Sequence, residues 1–217
     1  MTRFVLASHN AKKLREMEAI LGELGTAVEI LPEGAPEAAE TGTTFEENAL
    51  IKARSAMLFT GLPAIADDSG LCVDALGGAP GVYSARYGSA EYFDYAEKHG
   101  LRVGLEPLAP GASDEDRTLR LLRNMALVPD GERQARFVSA ICCIWPGEEQ
   151  NAVIVRGECG GEITRRMQGA GGFGYDPVFY VPEHGCTFGE LPAAVKNQIS
   201  HRARALQKLK AALEKRI

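Results

Sequence analysis

Little in this sequence announces a function, and what it lacks already narrows the choices. There is one tryptophan in 217 residues, and no apolar run approaches the ~18 residues that cross a bilayer as a helix. The opening MTRFVLASHN has too short an apolar stretch for a secretory leader, so it reads as mature sequence. The five cysteines (Cys72, Cys142, Cys143, Cys159 and Cys186) contain no CxxC pair, and Cys142-Cys143 lies inside an apolar run. They therefore read as buried free thiols of a reducing compartment rather than disulfides or zinc ligands, with Cys143 and Cys186 the two where reactivity would turn on exposure and thiol pKa. There is no excess of positive charge: 24 Lys and Arg stand against 29 Asp and Glu, a net charge of −5. This excludes a duplex-wide nucleic-acid footprint but not a small phosphate ligand, which needs only a few local cations. Also missing are H-E-x-x-H, the G-x-S-x-G nucleophile elbow, a P-loop ending in G-K-[ST], and any internal repeat. The expectation is a cytoplasmic protein with neither membrane nor nucleic acid as a partner.

What is present is ordinary globular composition, 45% apolar and 24% charged, with Gly and Pro scattered without period. A chain of this size buries roughly 70–75% of its unfolded surface, enough for one domain with two lobes. Residues 3–7 read as a buried strand. A helix follows over 11–25, with Leu14, Met17, Ile20, Leu21 and Leu24 at helical spacing and Asn10 as its N-cap. A second strand covers 26–31 and a Pro/Gly/Glu-rich loop 32–42. Thr44 and Glu47 form a T-x-x-E capping box for a second helix, on which Asn48, Lys52 and Ser55 share a face. Residues 63–66 read as a short strand ending at Asp67-Asp68-Ser69-Gly70. Residues 89–114 read as a surface excursion carrying a short helix, and 116–125 as a clearer helix. The strands 134–145 and 151–158 form a hairpin turning at Pro146-Gly147, and the sheet continues through 160–164 and 178–181. A last helix runs over 200–215 with Leu206, Leu209 and Leu213 buried. Early βα units and a later antiparallel hairpin together predict a mixed α/β sheet.

Four constellations bear on chemistry. The strand–turn–helix Ser8-His9-Asn10-Ala11-Lys12-Lys13 offers free helix N–H groups and cations, which suits a phosphate; the plainer alternative is an N-cap with solvated lysines. Asp67-Asp68-Ser69-Gly70 at a strand end places adjacent carboxylates on opposite sides, so at most one faces a ligand, where it can hold Mg²⁺ or take a proton from water. Its plainer alternative is an Asx-type turn. Glu33, Glu37 and Glu40 form a second acidic cluster that reads either as an exposed loop or as the remainder of a metal site. The glycine-dense loop 169–176 permits close approach of a planar ligand, with Phe173 and Tyr175 as stacking surface, or is simply a wide turn. Lys196, Ser200, His201 and Arg202 gather a cation, a hydroxyl, an imidazole and a guanidinium near a helix start, suited to an anion or carbonyl, or to a cap alone.

The segments LASHNAKKLREM, ETGTTFEENALIKA, PAIADDSGLCVDALGGAPGVYSARY, QARF, GGFGYDPVF and ISHRARAL, in that order from residue 4 to about 213, resemble the inosine/xanthosine triphosphate pyrophosphatase family. Any one is weak; in order and at about the family's spacing they are highly specific. The departure is between Tyr87 and Met125, where the chain is longer by about twenty residues than the family pattern. The resemblance implies one domain over 1–217 built as an elongated mixed β-sheet with two α/β lobes flanking a central substrate cleft, with 89–114 as a surface insertion. It implies an enzyme that uses Mg²⁺ to hydrolyse the α–β phosphoanhydride of dITP, ITP and XTP, usually as a homodimer. It makes Asp68 the proton acceptor and a metal ligand and Glu40 the second metal ligand. It makes residues 8–13 the triphosphate turn and Ser69 a substrate contact. Phe173, Gly174, Tyr175, Asp176, Lys196, His201 and Arg202 become base and phosphate contacts. Two further readings are a nucleotide-binding regulator without turnover and a pyrophosphatase with a different base preference. Asp68 and Lys13 favour the enzyme over the regulator, and Ser200-His201-Arg202 favours a 6-oxopurine.

Overall fold

The computed structural model describes residues 2–100 and 106–216, the side chains of Lys12 and Glu149 excepted. Seven strands among them form one mixed sheet: β1 (Arg3–Leu6), β2 (Ala27–Ile30), β3 (Ala64–Val73), β4 (Gln134–Ile144), β5 (Val153–Ile163), β6 (Phe179–Val181) and β7 (Cys186–Thr187), in the order β2-β1-β3-β4-β5-β6-β7. β1 pairs in parallel with β2 and β3, whereas β6 pairs antiparallel with β5 and β7. The helices are α1 (Ala11–Leu21), α2 (Phe45–Thr60), α3 (Ala90–Lys98), α4 (Asp114–Asn124), α5 (Ala193–Ile199) and α6 (His201–Leu213).

The chain divides into two compact units, and each has its own core. The first comprises Met1–Ser69, Ser139–Glu158 and His201–Ile217. Phe4 and Leu6 of β1 pack with Met17 and Leu21 of α1 and with Leu206, Leu209 and Leu213 of α6, as the helical spacing of those residues requires. α6 lies directly on β5: a Cβ at Gly157 would fall on the His201 carbonyl oxygen and the Ala205 backbone nitrogen, so only glycine permits this approach. The capping box is formed as the sequence indicates, Thr44 accepting from the Glu47 N–H at 3.1 Å.

The second unit comprises Gly70–Val138 and Cys159–Ser200. Its core gathers Phe137, Tyr175, Phe179 and Phe188 with Leu121 of α4. The segment 89–114, read as a surface excursion, contributes Tyr92 and Ala96 of α3 to that core, both buried, and its residues 101–105 lie outside the described ones. α4 starts at Asp114 rather than 116 because Ser113, not a later residue, accepts the Asp116 N–H and caps the helix. Arg133 is buried, and its guanidinium donates to the carbonyls of Met125, Val128, Ile163 and Thr164, tying the end of α4 to the end of β5.

One boundary differs in a way that matters. β3 does not stop at Ala66; it runs on through Asp67-Asp68-Ser69-Gly70 to Val73. A strand can carry two buried carboxylates only if each finds a counter-charge; Asp67 meets Lys13 and Arg202, and Asp68 meets Lys52.

Candidate functional site

In the first unit, charged and hydroxyl side chains converge on the two aspartates of β3, which point to different partners as strand alternation demands. The Asp67 carboxylate is fully buried. Its Oδ2 meets Lys13 Nζ at 2.7 Å and Arg202 Nε at 3.2 Å, and its Oδ1 accepts from Ser69 Oγ at 2.5 Å and Ser139 Oγ at 2.6 Å. Burial alone would raise its pKa; the charges of Lys13 and Arg202, with hydrogen bonds from Lys13 and Ser139, outweigh burial and hold the carboxyl well below the usual carboxylate range. Arg202 is itself buried, and its Nη1 reaches Glu16 Oε2 at 3.1 Å.

Asp68 faces α2. Lys52 Nζ is 2.5 Å from Asp68 Oδ1 and 3.0 Å from Glu40 Oε1, so one ammonium joins the strand carboxylate to the acidic loop. Burial raises the Asp68 pKa, the Lys52 charge opposes that, and Glu40 and Asp67 add to the rise. Lys52 is shifted upward too: burial disfavours its charge, but Asp68, Glu40 and Asp67 prevail. Asp68 Oδ2 is buried and has no hydrogen-bond partner among the described residues. Two oxygen-donor carboxylates sharing a cation, one with a lone pair unclaimed, fit a hard divalent cation that takes one or two protein carboxylates and completes its shell with phosphate and water. Among the described residues no group of three His, Cys, Asp or Glu side chains forms a closed protein-only metal cage.

The turn before α1 is organised from within. Ser8 Oγ accepts the Asn10 N–H at 3.1 Å, and Asn10 Oδ1 accepts the Lys13 N–H at 3.3 Å, which is the N-cap expected of Asn10. His9, Asn10 and Ala11 are exposed, and the Lys12 side chain lies outside the described ones.

The second unit holds a separate set. Phe173 is 49% exposed, and Lys196 Nζ stands 4.7 Å from its ring centroid and 5.3 Å from that of Phe188. Asp176 Oδ2 accepts the Phe173 N–H at 2.8 Å and pairs with Lys196. Tyr175, expected as stacking surface, is buried in the core and donates its hydroxyl to the Ser84 carbonyl at 2.8 Å. Burial drives its pKa far up, in keeping with a structural phenol.

A family model described as the Ham1 family matches residues 4–212. The chain belongs to the Ham1 family. It is 46% identical over 215 residues to the dITP/XTP pyrophosphatase of Vibrio cholerae serotype O1, covering 99% of this chain and 98% of that one. It is 44% identical to the dITP/XTP pyrophosphatase of Pseudomonas aeruginosa, over 97% of this chain and 96% of that one. Among solved structures, a HAM1 protein from Coxiella burnetii superposes with a TM-score of 0.85 at 40% identity, covering 99% of this chain and all of the other.

Within this Ham1 chain, the structure joins Lys13, Asp67, Ser69 and Arg202 in one network and Glu40, Lys52 and Asp68 in another. Arg202, expected as a base contact, has two guanidinium nitrogens committed to Asp67 and Glu16, since a buried guanidinium must be paired. His201 is buried at the start of α6. Lys52 was visible as a cation on the Asn48 face of α2 but not as the bridge between Asp68 and Glu40. Glu16 and Ser139 gave no signal; Ser139 meets Asp67 across 72 residues of sequence.

Proposed function

We propose that this chain is a dITP/XTP pyrophosphatase, hydrolysing dITP, ITP and XTP at the α–β phosphoanhydride to the monophosphate and pyrophosphate. The observation that carries this reading is the Lys52 ammonium held between Glu40 and Asp68, which fixes both carboxylates and leaves one buried Asp68 oxygen unclaimed. Asp68 accepts the proton of an attacking water and orients it, the role of a general base. Glu40 and Asp68 would hold Mg²⁺, which would supply charge neutralisation on the phosphates. Asp67 fixes Lys13 where its ammonium, with the positive end of the α1 dipole, meets phosphate oxygens. Hydrolysis of this kind needs positioning and charge neutralisation rather than a covalent nucleophile, and the chain requires none.

The base falls to the set around Phe173. Its exposed ring offers a stacking face, and Lys196 supplies positive charge beside it. A 6-oxopurine presents an acceptor at O6 where adenine presents an amino donor. A protein donor aimed at that position is left unpaired by adenine, at about 1–3 kcal/mol each. The resemblance further supports a homodimer and a cytoplasmic site of action, and no helix among the described residues is long and apolar enough to cross a membrane. The test is a panel of nucleoside triphosphates offered with Mg²⁺ and separately with a chelator. Rapid turnover of dITP, ITP and XTP, slow turnover of ATP and GTP, and loss with chelator are expected. Equal turnover of ATP and ITP overturns the proposed base preference.

A further inference from the structure

The loop that carries Phe173 is held from outside itself, by the first turn of α4. Gly174 donates its N–H to Asp114 Oδ2 at 3.0 Å. Its carbonyl lies 3.2 Å from Thr118 Oγ1, a buried hydroxyl that also reaches the Asp114 carbonyl at 2.8 Å and shares its proton between them. Both polar groups of one backbone residue are thus held by side chains one helical turn apart. Asp114 is fixed in turn by Arg117, whose Nη2 is 2.6 Å from Oδ1. Gly174 adopts φ +57°, a left-handed conformation that the absence of a side chain permits. On the other side, Asp176 holds the Phe173 N–H. An exposed aromatic on a glycine-rich loop would ordinarily sample many orientations; here the backbone on both sides of its Cα is fixed before any ligand arrives.

We infer that Asp114 and Thr118 are positioning residues for nucleotide recognition, acting through Gly174 to hold the Phe173 ring as a preformed stacking plate. This inference rests on the proposed nucleotide reading of the Phe173 set. Preorganisation lowers the ordering cost of binding and leaves the bond-breaking step untouched. Its signature is therefore a change in KM rather than kcat.

The experiment compares wild type with Asp114→Ala, Asp114→Asn, Thr118→Val and Glu115→Ala. It measures ITP steady-state kinetics and hydrogen exchange over residues 169–176 without nucleotide. Asp114→Ala is expected to raise KM about tenfold with kcat within about twofold, and to speed exchange in the loop. Asp114→Asn retains an acceptor oxygen and should restore both values. Thr118→Val should move KM in the same direction. Glu115→Ala removes a negative charge from the same helical turn without touching Gly174, and should change neither. Unchanged exchange or unchanged KM in Asp114→Ala overturns the inference, as does an equal effect from Glu115→Ala. If wild type neither binds nor turns over ITP, the nucleotide reading falls and takes the inference with it. If wild type is active and Asp114→Ala is indistinguishable from it, only the clamp falls.

Discussion

Asp67 and Asp68 are adjacent in sequence and opposite in duty. Asp67 spends its oxygens on Lys13, Arg202, Ser69 and Ser139, and is an anchor. Asp68 has one cation and one open oxygen, and in the proposed function it is the reactive member. Replacing Asp68 by Asn keeps the shape but removes the charge and the base. The expected result is a fall in kcat of more than ~100-fold with little change in KM, read from pyrophosphate release; near-normal turnover removes Asp68 from the chemistry. Arg202→Ala acts differently. It strips a counter-charge from a fully buried carboxylate, so a loss of about 3 kcal/mol in urea unfolding is expected even though Lys13 remains. A loss below about 1 kcal/mol would mean that Arg202 does not support Asp67. The Asp-Asp pair and the alternation of its side chains were legible in the sequence. Their partners were not, because Ser139 and Arg202 lie 72 and 135 residues away and no local pattern encodes such a meeting.

The helices follow from periodicity and caps, and the caps carry a pH dependence. Glu47 accepts from the N–H groups of Thr43 and Thr44 and from the Thr43 hydroxyl. These bonds, the Thr43 backbone first, hold its pKa below the ordinary value of 4.5. A carboxyl lowered in the folded state stabilises fully above its unfolded pKa, and the contribution is lost as pH falls through the folded value. Glu47→Gln should therefore lower Tm at neutral pH, and the difference from wild type should shrink and vanish as pH falls below the ordinary carboxylate range. A difference that persists unchanged into acid would contradict the charge-based account. Where the sequence reading departs from the structure at this scale, the reason is physical. β3 reads as a shorter strand from sequence because acidic residues and glycine resemble a turn when their distant counter-charges are invisible. α5 gives no sequence signal because it has seven residues, none of them buried, and so no apolar pattern.

For the whole molecule, net charge is the informative constraint. A protein at −5 that takes a polyanionic substrate must gather its positive charge locally, and the proposed function assigns this to Lys13 and Lys52 in the first unit and Lys196 in the second. The two cores also explain the cysteines. Cys72, Cys142, Cys143 and Cys159 are buried and Cys186 is half-buried, all five as free thiols. Burial pushes Cys142 up to about 12 and holds Cys143 well above the ordinary thiol value. A thiol reagent should label Cys186 alone in the native protein and all five after unfolding; rapid native labelling of Cys142 or Cys143 would contradict the packing. The mixed sheet was legible from the order of βα units and hairpin, whereas the division into two cores required knowing which strands pair.

³¹P NMR of the products formed from ITP shows which phosphorus the attacking water reaches. If Asp68 directs that water to the bond between the first and second phosphates, IMP and pyrophosphate are the initial products, and Asp68→Asn slows their appearance by more than ~100-fold. Initial formation of IDP and orthophosphate would place the attack at the outer phosphate instead.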